Sequence, residues 1–350
     1  MPNAILTRAI DALACGNDLS ANATAEVLAE IMHGEVSEVQ IAGFLIALRT
    51  KGETVDELAG LARTMRALAV HVDCERGDLL DTAGTGGGRS SFNVSTTAAL
   101  IAAGSGCAVA KHGNRSATSS SGSADLLEAL GARIDLSPSA VARCIGETGF
   151  GFMFAPAHHQ ATRFVVPVRR ELAVRTIFNL LGPLTNPAGA RRQLVGVSDP
   201  SALETIAGAL ARLGVDRALV VAGEDGLDEV STEAPTKVVE VNGEEIDRYV
   251  LVPEDVGIEA AAASSGQEYR GGSPAENAAV TRAILAGEPG ASAELATMNA
   301  GAAIYAAGRA DSIAAGVEAA RSALGDGSAA RALERYVDAS HRYASAEATR

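Results

Sequence analysis

The sequence of 350 residues has no tryptophan, and aromatic residues make up only 3% of it. Few rings are therefore available to stack on nucleic-acid bases. Positive charge is also scarce, because 29 lysines and arginines are set against 43 aspartates and glutamates, which gives a net charge of −14. A broad nucleic-acid surface needs clustered cations, so no nucleic-acid partner is expected. An acidic protein can still bind a small polyanion where a few cations converge at one place.

Cysteines are few, and signals for export or membrane insertion are missing. The four cysteines, at positions 15, 74, 107 and 144, form no Cys-x-x-Cys pair and have no histidine at zinc-ligand spacing. We interpret them as small buried hydrophobes in a reducing compartment. No apolar run approaches the roughly 20 residues of a membrane helix, and the N-terminus does not resemble a secretory signal. We therefore expect a cytoplasmic protein with no membrane contact.

The apolar fraction of 47% indicates a globular protein, and the chain is long enough for two domains. Residues 1–70 carry helical apolar spacing only, whereas strand and helix signals alternate from Asp78 onward. This pattern predicts the α/β class, with a small helical domain and a larger α/β domain whose central, mostly parallel sheet is flanked by helices. We expect residues 168–190 to complete the helical domain. The α/β domain would comprise 75–165 and 191–345, with a ligand cleft between the domains.

Short apolar segments and helical spacing locate the elements of the second part. A further helix is expected over Arg169–Leu181, and the polar end Ser345–Arg350 is expected to fray. The predicted strands are Leu79–Asp81, Ala108–Ala110, Phe152–Phe154, Leu194–Val197, Ala218–Ala222 and Lys237–Val241. The other predicted helices are Thr97–Ala103, Ser123–Leu130, Ser201–Leu213, Ala275–Leu285, Ala291–Ala307 and Asp311–Leu324.

A glycine-rich turn, Asp81–Gly88, follows the first predicted strand and precedes a helix. Glycines let the backbone approach a ligand closely, and a helix N-terminus directs N–H groups at an anion. The turn fits neither a P-loop nor a dinucleotide fingerprint, and a tight turn needed only for packing is the alternative. Asn93, Ser95 and Thr96 then follow as ordinary helix caps, or as donors to a pyrophosphate with the Ser95 hydroxyl on a metal.

The segment Lys111–Asp125 combines two cations, a histidine, glycines and many hydroxyls directly after a strand. A loop that closes over a phosphate needs this density of small donors, whereas a solvated basic loop does not. Lys111 and Arg115 would supply charge, and Asn114 would orient a polar substrate group. His112 either takes part in ligand binding or only satisfies the polar groups of the turn. The candidate phosphate donors are Ser119, Gly122 and Ser123.

Two further motifs have charged side chains at positions typical of ligand sites. Arg169 at the start of a helix suits a carboxylate, or it is an exposed helical cation. Glu224–Glu229 follows the strand Ala218–Ala222, and its adjacent carboxylates suit Mg²⁺ or simply form an acidic turn. Its position at a strand end favours a ligand site. His158 and His159 are adjacent and make a poor metal pair.

Over nearly the whole chain, and most closely over residues 79–235, the sequence resembles the anthranilate phosphoribosyltransferase family. The resemblance implies transfer of a 5-phosphoribosyl group from phosphoribosyl pyrophosphate (PRPP) to the amine of anthranilate, with release of pyrophosphate, in tryptophan biosynthesis. It also implies Mg²⁺, a nucleoside-phosphorylase-like α/β domain and a homodimer. The motifs that carry it are Lys111–Arg115, Ser121–Asp125, Arg175–Pro187 and Asp225–Glu229.

The resemblance also implies the roles of individual residues. Lys111, Asn114 and Arg169 would be catalytic, and Gly84, Asn114 and Arg169 would contact anthranilate. Mg²⁺ would bind to Ser95, Asp228 and Glu229. The PRPP site would comprise Gly84, Gly87, Gly88, Ser91, Asn93, Ser95, Thr96, Lys111, His112, Gly113, Asn114, Arg115, Ser116, Ala117, Thr118, Ser119 and Ser123.

Three positions depart from the family pattern. Gly88 replaces an acidic residue in a turn that is one residue shorter, Thr162 replaces an aromatic residue, and Phe164 replaces a histidine. A nucleoside phosphorylase-like enzyme and a non-catalytic nucleic-acid-binding relative are the alternative functions. Lys111–Arg115 argues against the former, and the net charge of −14 argues against the latter.

Overall fold

A computed structural model describes residues 1–116, 120–258 and 269–348. The N-terminal part is helical, and side chains cap its helices. In α4, Thr54 and Glu57 form a capping box in which each side chain bonds the other's backbone N–H, while Ser37 caps α3. The helices are α1 (Ala4–Ala14), α2 (Ala21–His33), α3 (Glu38–Lys51) and α4 (Val55–Ala67).

A seven-stranded sheet forms the centre of the second part, in the order β3-β2-β1-β4-β5-β6-β7. The first five strands of this order are parallel, whereas β6 and β7 run antiparallel to their neighbours. The predicted α/β class with a mostly parallel sheet is therefore confirmed. The strands are β1 (Leu79–Asp81), β2 (Ala108–Gly113), β3 (Phe150–Phe154), β4 (Arg192–Gly196), β5 (Arg217–Gly223), β6 (Thr236–Asn242) and β7 (Glu245–Leu251).

Helices flank this sheet and connect its parallel strands. No helix within the described ranges is long and apolar enough to span a membrane. The helices are α5 (Val94–Gly104), α6 (Ser123–Ala129), α7 (Pro138–Thr148), α8 (Ala155–His158), α9 (Val166–Leu172), α10 (Phe178–Leu181), α11 (Leu203–Arg212), α12 (Pro274–Leu285), α13 (Ala291–Ala306), α14 (Ile313–Gly325) and α15 (Ser328–Ala348).

Buried apolar side chains form two cores on opposite faces of the sheet. One core joins α5, α13 and α15 to one face, with Leu100 and Tyr336 fully buried. The other joins α1–α4 to α11 and the opposite face, and it includes Val168, Ile177 and Leu181. The segment expected to complete the helical domain therefore packs with the N-terminal helices, although the domain division itself stays a prediction.

The expected helix over Arg169–Leu181 is wrong in extent. Helix α9 ends at Leu172, and Ala173 takes a left-handed conformation (φ 51°) in which its N–H bonds to Arg169 O. A single helical turn, α10, follows only from Phe178. Arg169 consequently lies in the last turn of a short helix, not at the start of a long one.

Besides the single turn α8 and the 3₁₀ turns, three elements were not predicted from the sequence. Strand β7 and helices α7 and α15 are absent from the predicted set, and α15 continues through the expected frayed end as far as Ala348. Most residues of β7 are exposed or half-buried, so its sequence lacks the apolar alternation on which strand prediction depends.

Candidate active site

The loops after β1, β4 and β5 touch at the carboxyl edge of the sheet, because two glycines bring their backbones together. Thr85 N donates to Gly196 O over 2.8 Å. A Cβ atom on Gly84 would lie 2.7 Å from Gly196 O, and one on Gly196 would lie 1.7 Å from Asp228 O. Only residues without side chains allow these contacts. The predicted glycine turn is thus joined to the loop after β5, residues 224–235, which we call the acidic loop.

The end of the glycine turn also lies against the acidic loop. A Cβ atom on Gly88 would be 2.5 Å from Asp228 Oδ1 and 2.8 Å from Asp228 N. The next residue, Arg89, donates its backbone N–H to Gly226 O over 2.7 Å. The space beside Gly88 is therefore occupied by the Asp228 carboxylate and backbone.

Lys111 is the cation at the centre of this edge, and only 1% of the residue is exposed. Its ammonium group lies 2.9 Å from Thr82 Oγ1 and 3.4 Å from Ser95 Oγ. Burial lowers the pKa of Lys111 to about 8, while the charges of Asp81 and Glu229 oppose this shift. The ammonium group thus lies between the first turn of α5 and the acidic loop.

The ends of β1 and β2 share a buried polar network. Asp81 is fully buried, and it accepts from His112 N at 3.1 Å and from Asn186 Nδ2 at 2.7 Å. Burial raises the pKa of Asp81, although the charge of Lys111 and these hydrogen bonds work against the rise. The network fixes Lys111 and His112 relative to the glycine turn.

His112 is part of this buried network, which bears on its uncertain role. Its Nδ1 lies 3.1 Å from Gly182 O, and its ring meets that of His159 edge to face at 5.1 Å. Burial lowers the pKa of His112 to about 3 and that of His159 to about 4, so both rings are neutral at pH 7. His112 Nε2 has no hydrogen-bond partner among the described residues. These contacts give the ring a part in the fold.

Asp228 and Glu229 provide the two adjacent carboxylates of the acidic loop. Burial raises the pKa of both groups, and the charge of Asp228 raises that of Glu229 further. The backbone N–H of Ser95 and the charge of Lys111 both work against this rise in the pKa of Glu229. Ser95, Lys111 and Glu229 are therefore neighbours. The metal role of Ser95, Asp228 and Glu229 stays a prediction.

The donor set of Ser95, Asp228 and Glu229 is suited to Mg²⁺. The described residues contain no group of three or more histidines, cysteines or carboxylates able to enclose a metal. Mg²⁺ does not need such a group, because it usually binds to one or two carboxylates and keeps water and substrate phosphates as its other ligands. Two carboxylates that repel each other beside a serine hydroxyl match this chemistry.

Asn93 is held by residues from distant parts of the chain. Its Nδ2 donates to Ser121 O at 3.0 Å, and its Oδ1 accepts from Ser121 Oγ at 3.0 Å and from Asn277 Nδ2 at 2.8 Å. Asn277, on α12, was not recognised from the sequence. The Oγ1 of Thr96 is buried and has no partner within the described chain. The side chain of Asn93 thus secures the start of α5 in this structure.

The segment after β2 contributes residues that lie further from this group. Arg115 is exposed, and its guanidinium group bonds to Asp125 at 2.8 Å and to Glu128 at 2.5 Å. Ser116 N also donates to Asp125, at 3.1 Å. Glycine is required at 113, because a Cβ there would be 2.7 Å from the Phe152 ring. The predicted residues Ala117, Thr118 and Ser119 lie outside the described residues.

Arg169 is half-buried, and its guanidinium group lies 5.6 Å from the centre of the Phe178 ring. Burial lowers its pKa, and no carboxylate within the described ranges forms an ion pair with it. The two departures near it lie on a 3₁₀ turn, Gln160–Phe164. Thr162 Oγ1 donates to His159 O at 2.7 Å, and a Cβ on Gly34 would be 2.8 Å from the Phe164 ring.

The structure brings some predicted residues together and leaves others apart. Within the described chain, no direct contact connects Asn114, Arg115 or Arg169 to the residues that meet around Lys111 and the acidic loop. Arg175 was not assigned a role, yet its Nη1 donates to Ser198 Oγ at 2.9 Å and its Nη2 to Gly86 O at 3.3 Å. A Cβ on Gly87 would contact this guanidinium group at 2.7 Å. The residues brought together are Gly84, Gly88, Ser95, Lys111, Asp228 and Glu229.

Comparison with known proteins identifies the family. The a/b domain of the glycosyl transferase family matches residues 76–330, and the helical bundle domain of the same family matches residues 7–69. The chain therefore belongs to this glycosyl transferase family, and its helical and α/β parts agree with the two matched models. A relative from Rubrobacter xylanophilus, an anthranilate phosphoribosyltransferase, is 51% identical over 97% of this chain and 99% of its own length.

Solved structures agree with this relationship. The anthranilate phosphoribosyltransferase from Thermus thermophilus is 48% identical, with a TM-score of 0.89 over 95% of this chain and 99% of that one. The enzyme from Saccharomyces cerevisiae, solved with PRPP and Mg, is 27% identical, with a TM-score of 0.87 over 97% and 99% of the two chains. Within the glycosyl transferase family, the chain is thus a member of the anthranilate phosphoribosyltransferases, and the resemblance of its motifs is confirmed.

Proposed function

We propose that this chain transfers the 5-phosphoribosyl group of PRPP to the amine of anthranilate, giving N-(5-phosphoribosyl)anthranilate and pyrophosphate. The yeast relative has been solved with PRPP and Mg and also with 4-fluoroanthranilate. One observation in this chain carries the proposal. A buried lysine, a glycine turn, a helix N-terminus and two adjacent carboxylates converge on one edge of the sheet.

The proposed pyrophosphate site lies where these elements meet. The first turn of α5 presents backbone N–H groups, and the glycine turn allows a phosphate to approach the backbone closely. Lys111 supplies a positive charge in a place from which water is largely excluded, so its attraction for phosphate is strong. Ser95, Asp228 and Glu229 would hold Mg²⁺. When bound, this ion neutralises charge that develops on the departing pyrophosphate.

The amine of anthranilate needs no strong general base, because its low basicity leaves it neutral at pH 7. The protein therefore has to stabilise the leaving group and align the amine with the ribose C1 atom. Positive charge at C1 favours a dissociative transition state. We assign the placement of anthranilate to Asn114 and Arg169. Arg169 has no ion-pair partner among the described residues and is half-buried, which suits a ligand carboxylate.

We also propose that the enzyme works as a homodimer in the cytoplasm. Three apolar residues of the helical part support the dimer, because their side chains are unusually exposed. Val39 and Ile46 lie seven residues apart on α3 with exposures of 82% and 38%, and Val166 on the adjacent α9 is 43% exposed. An apolar surface of this kind is typical of a protein interface. Association would cover it.

The reaction is tested by following anthranilate fluorescence with PRPP and Mg²⁺. We expect the fluorescence to fall with the wild-type enzyme. The double variant Asp228→Asn/Glu229→Gln should lose turnover because the carboxylate pair is gone. The exposed adjacent pair Glu244, in the β6–β7 turn, and Glu245, at the start of β7, supplies the control Glu244→Gln/Glu245→Gln, which should retain activity. A wild-type enzyme that consumes no anthranilate would overturn the function, and an active Asp228/Glu229 variant would overturn the metal assignment.

A further inference from the structure

We propose that Arg89 is a positioning residue that fixes the Asp228–Glu229 carboxylate pair by holding the acidic loop at both ends. The inference rests on the proposed function, because the carboxylate pair matters only if it binds a metal. Arg89 follows the glycine turn directly and was not among the candidates drawn from the sequence. Its hydrogen bonds and ion pairs, described below, all reach residues on either side of the pair.

Arg89 contacts the acidic loop on the N-terminal side of the pair in two ways. Its backbone N–H donates to Gly226 O over 2.7 Å, and its guanidinium Nη1 donates to Asp225 Oδ2 over 3.3 Å. The other carboxylate oxygen of Asp225 accepts from Leu227 N at 3.2 Å. Asp225 thus also holds Leu227, the residue immediately before Asp228.

The same guanidinium group holds the loop on the C-terminal side of the pair. Nη1 and Nη2 of Arg89 each lie 3.1 Å from Glu233 Oε2. Ser231 connects the two sides, because its Oγ donates to Asp225 Oδ2 at 2.8 Å and accepts from Glu233 N at 3.0 Å. Residues 226–232 therefore form an arch whose two ends meet at one guanidinium group.

Burial makes the loss of one partner from these ion pairs more costly than the same loss from an ordinary surface pair. The Arg89 side chain is 25% exposed, that of Asp225 12% and that of Glu233 only 4%. A carboxylate this far from water needs a cation, and removal of Arg89 takes away the cation that Asp225 and Glu233 share. Without Arg89, we expect Glu233 and Asp225 to move toward water and the arch to widen.

Gly88 provides the steric condition for this arrangement. A Cβ there would come within 2.8 Å of Asp228 N, so the loop can approach the glycine turn only because residue 88 has no side chain. Two consecutive residues therefore act together. Gly88 leaves room for Asp228, and Arg89 draws the ends of the arch to the turn.

Metal affinity is the quantity that distinguishes positioning from a general structural role. Arg89→Met removes the charge with little loss of volume, and Arg89→Lys keeps a charge without the fork that reaches both carboxylates. The control is Arg248→Met. Its guanidinium group also forms a two-pronged ion pair, to Glu204 at 2.7 Å for both bonds, but between β7 and α11.

We would measure Mn²⁺ binding in the presence of PRPP from the electron paramagnetic resonance signal of free Mn²⁺, and separately the Mg²⁺ dependence of the initial rate. Removal of a residue that orients metal ligands typically weakens metal binding about 10- to 100-fold, and we expect this for Arg89→Met. Arg89→Lys should lie between it and the wild type. The turnover number at saturating Mg²⁺ should change less than the Mg²⁺ requirement.

Thermal unfolding of each variant shows whether it folds. If Arg89→Met does not fold, the Mn²⁺ affinity of Arg89→Lys tests the inference. Glu233→Gln should weaken Mn²⁺ binding as well, and combining it with Arg89→Met should add little, because both remove the same contact. Unchanged Mn²⁺ binding in folded Arg89 variants would overturn the inference. A wild-type enzyme that binds Mn²⁺ but transfers nothing to anthranilate would overturn the proposed function instead.

Discussion

The segments that follow β1 and β2 both have the composition of a phosphate-binding loop, yet they are held in different ways. Residues 82–92 bond to distant parts of the chain, including Gly196, Gly226 and Tyr269. Residues 114–116 bond chiefly to Asp125 and Glu128, which belong to the helix that follows immediately. One segment is fixed by three other loops, and the other chiefly by the helix that follows it in sequence.

This difference indicates that the two segments have different roles in the proposed site. A segment fixed from several directions has its donors in place before a ligand arrives, which lowers the cost of binding. A segment held by exposed, local ion pairs can exchange those partners for a ligand, because such pairs are worth about 0–1 kcal/mol each. We expect substitutions in the first segment to affect turnover strongly and substitutions in the second to affect mainly substrate affinity.

The largest effect is expected where three loops meet. In Gly196→Ala, the new Cβ would lie 1.7 Å from Asp228 O in the present backbone, so the acidic loop has to move. A displacement of this kind can lower kcat/KM about 100-fold, since misplacement by about 1 Å has such effects. Gly77→Ala is the control, because residue 77 has nothing within 4 Å of the added atom. Equal activity of the two variants in the fluorescence assay would contradict a preformed first segment.

Acid should destabilise the buried end of β2, which leads into the second segment. Burial lowers the pKa of His112 to about 3 and of His159 to about 4, whereas unfolded histidine titrates near about 6.5. As the pH falls below this value, the unfolded chain takes up protons first, and the free energy of unfolding decreases. We expect a loss of about 1–2 kcal/mol per histidine between about pH 6.5 and 5.

Urea unfolding at the two pH values would measure this loss. His159→Gln should show a smaller decrease than the wild type, because one of the titrating groups has been removed. The exposed His33 provides the control His33→Gln, which should follow the wild type. A parallel decrease in all three proteins would show that other groups cause the acid sensitivity.

A more moderate effect is expected at the position that departs from the family pattern. Gly88→Ala places a Cβ 2.8 Å from Asp228 N, which should push the carboxylate pair away from the turn. We expect the Mg²⁺ concentration for half-maximal rate to rise about tenfold, within the range seen when residues around metal ligands are altered. Gly88→Asp should be at least as impaired. A variant with the wild-type Mg²⁺ dependence would show that the two loops adjust freely.

The smallest effect should come from the second segment. Glu128→Gln weakens the hold on Arg115, whose side chain is 48% exposed in its ion pairs. If Arg115 exchanges partners on binding, the KM for PRPP should fall about two- to threefold, in line with the energy of an exposed pair, with kcat unchanged. Arg133 and Asp135 form another exposed pair, so Asp135→Asn is the matched control. A rise in KM would mean that Glu128 helps Arg115 to bind substrate.

Much of the fold could be predicted because its signals are local. Strand β1 was predicted with its observed bounds, Leu79–Asp81, since two buried leucines directly precede a glycine turn. Strand β7 was missed because an edge strand with exposed charged residues lacks an apolar pattern. The end of helix α9 at Ala173 was missed because alanine rarely adopts a left-handed conformation, and the neighbouring sequence contains no helix-ending signal.

The candidate site could be predicted where residues fall into motifs, and not where the fold brings them together. Lys111, Asp228 and Glu229 were found because they stand beside strand ends. Arg89 and Asn277 were missed, because their partners lie 136–144 and 184 residues away in the sequence. Single residues of this kind have no local signal. Only their distances to carboxylates or amides in the folded chain reveal what they do.

The two edges of the sheet protect the enzyme from self-association into fibrils by different means. Strand β3 is almost wholly buried, and α7 packs against it. Strand β7 is open, but it carries Glu245, Asp247 and Arg248, which are exposed. Charges along a free edge oppose the pairing of strands from separate molecules. The open edge is therefore a poor template for pairing with a strand of another molecule.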